Sequence, residues 1–214
     1  TYLNGFLRNV SRFGDNPAVN DPISGRRWTY RELNAEANRL AHALRADGVG
    51  KNDVVMFALL NSPEFIFCYL ATHKIGAIAC PVNYRQGAGE IALVIEDSCP
   101  KVFLYDAEFG ELSRKALKMS VHKPVRAIMV GNPSELCTES DITIYRQYVE
   151  GKSEENPPID FQPHIYDETT RLYTSGTTNR PKGVPLNNIN EVLSAHDVIM
   201  HFPLSPTDRT MNMT

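Results

Sequence analysis

Residues 170–184 read TRLYTSGTTNRPKGV, and this stretch concentrates residue types that handle phosphate. Hydroxyls at Thr174, Ser175, Thr177 and Thr178 surround Gly176, and Lys182 follows shortly after. Gly176 lets the backbone approach a ligand closely and tolerates φ > 0. Clustered backbone N–H groups in such a loop form an anion-binding nest. The hydroxyls add neutral donors that can also ligate Mg2+. Lys182 supplies a compact positive charge. The chemistry suits a polyphosphate, although the same composition also suits a polar surface turn.

A P-loop of the form G-x-x-x-x-G-K-[ST] is the nearest familiar pattern. The spacing from Gly176 to Lys182 matches it. Pro181 stands where the second glycine belongs, and Gly183 where the Ser or Thr belongs. No helix starts cleanly at that lysine, so the P-loop kinase or GTPase reading fails.

The loop must be positioned by the elements before it. Strand-like and helix-like segments alternate from about residue 29 onward. Thr29 and Glu32 form a capping box, after which Leu33, Ala37, Leu40, Ala41 and Leu44 recur at helical spacing. Gly48 and Gly50 end that helix. Residues 53–60 (DVVMFALL) read as a strand buried on both faces, because the apolar residues from Val54 to Leu60 are continuous rather than alternating. Ser62 and Pro63 are an N-cap and first-turn pair for a helix reaching about Ile75. Further strands are expected at 78–82, 101–105, 127–130 and 171–174, with a short helix over 90–98. This alternation predicts an α/β fold, a doubly wound and mostly parallel sheet flanked by helices. Ligands of such sheets sit on loops at the carboxyl ends of the strands. Two stretches interrupt the order. Residues 131–141 are a polar turn region, and 151–167, with Pro157, Pro158 and Pro163, read as a surface connection leading into the phosphate loop.

Tyr173 to Val184, YTSGTTNRPKGV, resembles the signature loop of the adenylate-forming (AMP-binding) superfamily, which includes acyl-CoA synthetases, aryl-CoA ligases, peptide-synthetase adenylation domains and luciferases. Residues 28–44 (WTYRELNAEANRLAHAL), 69–85 (YLATHKIGAIACPVNYR) and 89–106 (GEIALVIEDSCPKVFLYD) are similar to other segments of that superfamily. PVNYR followed by GEI looks more like its acyl- and aryl-CoA ligases than its amino-acid adenylation domains. The sequence departs from the pattern at Asn179, where the family carries Gly, and at Asn187 and Asn188, where it carries a Ser/Thr-His pair.

The resemblance implies ATP-dependent activation of a carboxylic acid to an acyl-adenylate, then thioester formation with coenzyme A. By position, Thr174, Ser175, Gly176, Thr177, Thr178 and Lys182 would hold the phosphates of ATP. Thr174 would offer its hydroxyl to Mg2+. No catalytic residue is assigned, because the family's adenylation lysine belongs to a small C-terminal domain that the chain does not contain. Residues 1–214 are thus expected to be the N-terminal portion of the large domain, inactive alone. Two alternatives stand: a non-catalytic nucleotide-binding homologue, and an adenylating enzyme for another acid such as an amino acid.

Composition narrows the partners. A net charge of -3 with no basic stripe does not suggest nucleic acid. The apolar runs at 54–60 and 65–71 fall far short of the roughly 20 residues that span a bilayer. No secretory leader pattern opens the chain, so a cytoplasmic protein is expected. Cys68, Cys80, Cys99 and Cys137 lack metal-ligand spacing and read as buried thiols of a reducing compartment. His196 and His201 are spaced wrongly to share a helix face. No G-x-S-x-G motif supports a hydrolase.

Overall fold

The computed structural model describes residues 1–131, 142–174, 180–202, 204–205 and 208–210. Helices are α1 (Tyr2–Phe13), α2 (Tyr30–Ala46), α3 (Pro63–Lys74), α4 (Ala88–Ser98), α5 (Gly110–Met119), α6 (Tyr145–Val149) and α7 (Asn188–His201). Strands are β1 (Pro17–Asn20), β2 (Arg27–Thr29), β3 (Val54–Ala58), β4 (Ile78–Pro81), β5 (Val102–Asp106), β6 (Arg126–Val130), β7 (Thr143–Ile144), β8 (Glu168–Thr174) and β9 (Lys182–Asn187).

The main sheet has the order β7-β6-β5-β3-β4-β8-β9. Every pairing in it is parallel except β8 with β9. The doubly wound expectation is met. Along β3, Val55 and Phe57 join a core with α2, α3 and α6, while Val54, Met56 and Ala58 join a second core with α4 and α5. All five β3 residues are buried, which is why their sequence shows no alternation.

Helix α2 starts where its capping box predicts. Thr29 N donates to Glu32 Oε2 at 2.8 Å, and Glu32 N donates to Thr29 Oγ1 at 3.2 Å. Its apolar face, with Leu40 and Leu44 fully buried, packs on α3 and the sheet. Helix α3 starts at Pro63 as expected, but Ser62 makes no side-chain cap bond. The pre-set φ of Pro63, which needs no donor, suffices to open the helix. Cys68 and Cys80 are buried as expected. Cys99 is exposed instead, in the left-handed C-cap position of α4 with φ 46°.

The connection over 151–167 is irregular and on the surface, yet it is tied down. Asn38 donates to the Glu154 carbonyl at 2.5 Å, Arg39 pairs with the Glu154 carboxylate, and Arg45 donates to the Pro158 carbonyl. The Phe161 ring lies against Gly76, so close that a Cβ there would stand 2.5 Å from it. Gly76 also has φ +70°, so glycine is required there twice over. Among the described residues, no helix is long and apolar enough to cross a membrane.

Candidate active site

Because β3, β4, β5 and β8 run parallel, their carboxyl ends lie along one edge of the sheet. An open cleft of about 500 Å³ at that edge is lined by Asn83, Arg85, Gln86, Glu90, Tyr173 and Thr174. Four of these follow β4 or open α4, and two end β8. This is where an open α/β sheet binds its ligands.

Thr174 is the last residue of β8, and its register partner on β9 is Lys182. The two residues bracket the segment between the strands. Both are exposed. The chain therefore passes from one strand into an antiparallel partner strand, whereas a P-loop runs from strand into helix. The exclusion of that fold from Pro181 and Gly183 is met. Ser175, Gly176, Thr177, Thr178 and Asn179 lie outside the described residues.

The hairpin is braced on the α4 side. Tyr173 Oη donates to Asp97 Oδ2 at 2.5 Å, and Tyr173 packs across from Gly183. Burial raises the Tyr173 phenol above its ordinary range, and the bond to Asp97 raises it further. Arg171, on the same face of β8, forks onto Glu168 at 2.7 and 2.9 Å. That arginine is thus occupied by a carboxylate.

Arg85 is placed differently. The turn Asn83–Gln86 is shaped by Arg85 N donating to Asn83 Oδ1 at 2.9 Å and Gln86 N to Asn83 O at 3.1 Å. Tyr84 stacks on Phe109 at 4.9 Å, fixing the turn against the segment after β5. The Arg85 guanidinium lies 5.8 Å from the Tyr84 ring centroid, and no described carboxylate pairs with it. Glu90 also faces the cleft, but its Oε2 accepts from Gly87 N at 2.8 Å.

These residues fit a polyphosphate with a magnesium ion. Arg85 and Lys182 supply positive charge, and Thr174 a neutral hydroxyl. No group of three His, Cys, Asp or Glu that could hold a metal exists among the described residues. Magnesium seldom needs such a cage, since phosphates and water fill most of its shell.

Asn187 and Asn188 also find their reasons. Asn187 is the N-cap of α7: its Oδ1 accepts from Asn190 N at 3.2 Å, and Asn190 Oδ1 accepts from Asn187 N at 3.0 Å. Asn caps a helix as well as Thr does. Asn188 is buried and donates to the His164 carbonyl at 3.0 Å. Sequence reasoning passed over Arg85, Asp97 and Glu191. Arg85 had one available signal, its place in a turn directly after a strand predicted to end at the ligand edge.

Comparison with known proteins follows the same lines. The family model described as AMP-binding enzyme matches residues 6–214. The chain is 33% identical over 181 residues to the 3-hydroxybenzoate/4-hydroxybenzoate–CoA ligase of Thauera aromatica, covering 85% of this chain and 34% of that protein. It is 32% identical over 167 residues to the crotonobetaine/carnitine–CoA ligase of Citrobacter koseri, covering 77% and 31%. Its fold is similar to that of a Rhodopseudomonas palustris protein proposed to be a long-chain-fatty-acid CoA ligase, with a TM-score of 0.84, 26% identity and coverage of 97% and 49%. The chain spans about a third of the length of these two curated relatives.

Proposed function

Because the chain belongs to the AMP-binding enzyme family, we propose that the intact protein joins a carboxylic acid to coenzyme A at the expense of ATP. An acid oxygen attacks the α-phosphorus, pyrophosphate leaves, and the coenzyme A thiol then displaces AMP from the acyl carbon. In this reading residues 1–214 are the N-terminal portion of the nucleotide-binding large domain.

The observation that carries the proposal is the β8–β9 hairpin at the carboxyl edge of the sheet, with Thr174 opposite Lys182 beside a cleft to which Arg85 contributes a cation. Thr174, Ser175, Gly176, Thr177, Thr178 and Lys182 hold the phosphates. The Thr174 hydroxyl would be a ligand for Mg2+, which when bound would neutralise phosphate charge. The chain's own contribution is to bind and orient, and orientation supplies much of the rate in such transfers. Asn187 caps α7 and Asn188 is a buried donor to the His164 carbonyl, so the departure from the family's Ser/Thr-His pair has a local structural role and does not by itself favour a non-catalytic homologue.

The test is ATP–pyrophosphate exchange by the intact protein over aromatic, short aliphatic, long-chain and amino acids, followed by a thioester assay with coenzyme A. Exchange and thioester formation with a carboxylic acid are expected. Nucleotide binding without exchange for any acid would leave the non-catalytic homologue, and exchange with amino acids alone would leave the amino-acid-activating reading.

A further inference from the structure

The hairpin that carries the phosphate loop is lightly attached by its backbone. Only one register pair, Ala79 with Thr170, joins β8 to β4. Strand β9 lies at the sheet edge, and α7 buries only Asn188. Something else must set the seat of this hairpin on the sheet.

The Glu191 carboxylate does so. Its side chain is 10% exposed. Glu191 Oε1 accepts from Thr170 Oγ1 at 2.7 Å and from Thr169 Oγ1 at 2.9 Å, both on β8. Tyr69 Oη, on α3, lies 3.2 Å from the same oxygen and 2.6 Å from Thr170 Oγ1. His73 Nε2, one turn further along α3, lies 3.2 Å from Glu191 Oε2. His73 Nδ1 is 2.7 Å from the Tyr69 carbonyl, so the ring faces an acceptor on each side. The strand entering the loop and the helix following it are therefore joined to α3 through one carboxylate. Its bonds are charge-assisted and mostly sequestered from water, where they are strongest.

We propose that Glu191 is a positioning residue for the phosphate loop: it fixes the β8–β9 hairpin on α3, and through it the place of Thr174 and Lys182. Glu191 touches no substrate. The inference rests on the reading of the loop as the ATP site, and the experiment separates the two.

The measurement is steady-state kinetics of the intact protein, with KM for ATP and for the acid determined separately alongside melting temperature. The variants are Glu191→Gln, Thr170→Val, Thr170→Ser and, as control, Lys182→Ala. Glu191→Gln and Thr170→Val should each raise KM for ATP about three- to tenfold, a fraction of the more than tenfold that one lost hydrogen bond to a charged group is worth at the site itself, because the displacement reaches the loop indirectly, and leave KM for the acid within twofold. Thr170→Ser keeps the hydroxyl and should return KM for ATP to the wild-type value. A lowered melting temperature with unchanged KM for ATP would reduce Glu191 to a stability element and overturn the proposal, as would an equal rise in both KM values. If Glu191→Gln does not fold, the Thr170 pair decides alone. A silent Lys182→Ala removes the underlying reading of the loop, and the inference with it. An altered Lys182→Ala beside silent Glu191 and Thr170 variants removes the inference only.

Discussion

Tyr173 and Gly183 face each other across the β8–β9 pair, and the tyrosine ring occupies the space a side chain at 183 would take. A Cβ on Gly183 would stand 3.1 Å from the ring. The backbone there needs no left-handed φ, so the glycine serves close packing alone. Any larger residue must push Tyr173 away from Asp97 and distort the strand that ends in Thr174. Gly183→Val is expected to destabilise the intact protein by about 1–3 kcal/mol, the cost of overpacking, and to raise KM for ATP. Gly183→Val should cost less in a Tyr173→Leu background than in wild type, because the smaller side chain makes room. Equal melting temperatures for wild type and Gly183→Val would contradict this account.

Lys182 is exposed at the start of the edge strand β9, and among the described residues its side chain makes no hydrogen bond or ion pair. Lys182→Ala should therefore leave the melting temperature within a degree or so and weaken ATP use. Loss of one charged hydrogen bond, about 1.5–3 kcal/mol, corresponds to a rise of roughly ten- to a hundredfold in KM for ATP. Unchanged ATP kinetics would be decisive against a phosphate role.

The parts of the fold legible from sequence are those whose reason is local. Thr29 and Glu32 cap α2 within four residues of chain, and the apolar period behind them is helical. The continuous apolar run of β3 signals burial on both faces directly. The hydroxyl-rich segment suggests anion binding by its residue types but suits a polar turn equally, and it is the resemblance of Tyr173 to Val184 to a family signature that favours the phosphate reading. Helix α1 was legible too and is not among the expected elements: Leu3, Phe6, Leu7, Val10 and Phe13 recur at helical spacing behind the Thr1 N-cap. The β1–β2 pair is short and carries a register shift. Cys99 was misread because a left-handed cap is a conformation rather than a composition. The Glu191 network joins residues 69 and 73 to 169, 170 and 191, and no local pattern carries that information. The docking of 151–167 is of the same kind: its prolines mark it as irregular, but only the folded chain shows that α2 and α3 hold it.

The α2 capping box offers a test that concerns stability and not the site. Thr29→Ala removes the acceptor for Glu32 N and leaves an orphan donor in the first turn. The expected loss is about 1 kcal/mol. Thr29→Ser should cost nothing measurable at the cap, since the hydroxyl remains and Ser caps at least as well as Thr. Chemical denaturation of the three proteins, read as midpoint shifts at constant slope, measures both. Identical midpoints for Ala and Ser would mean the box contributes nothing.

Lys74 provides the pH prediction. The residue is 4% exposed at the end of α3. Its Nζ donates to Asn34 Oδ1 and Asn156 Oδ1, each at 2.8 Å, and no described carboxylate pairs with it. Burial without a countercharge lowers its pKa to about 8, against about 10.4 for an unfolded lysine. Below pH 8 the lysine is charged in both states, and the folded state bears the full cost of burying the charge. Between pH 8 and about 10.4 the unfolded chain binds more protons than the folded one, so this contribution to stability rises with pH. Above that window both states are neutral and the cost is gone. The total change is about 3 kcal/mol. The thiols and phenols of the unfolded chain titrate in the same window, so the contribution must be read as a difference. Lys74→Met keeps the apolar stem and lacks the titrating group, and Asn34 and Asn156 retain access to water. Urea unfolding of wild type and Lys74→Met at several pH values from 7 to 10 should give curves that diverge. Wild type should gain on the variant by about 2.5 kcal/mol between pH 7 and 10. Parallel curves would mean that the two asparagine oxygens compensate the charge fully and that Lys74 titrates as an ordinary lysine.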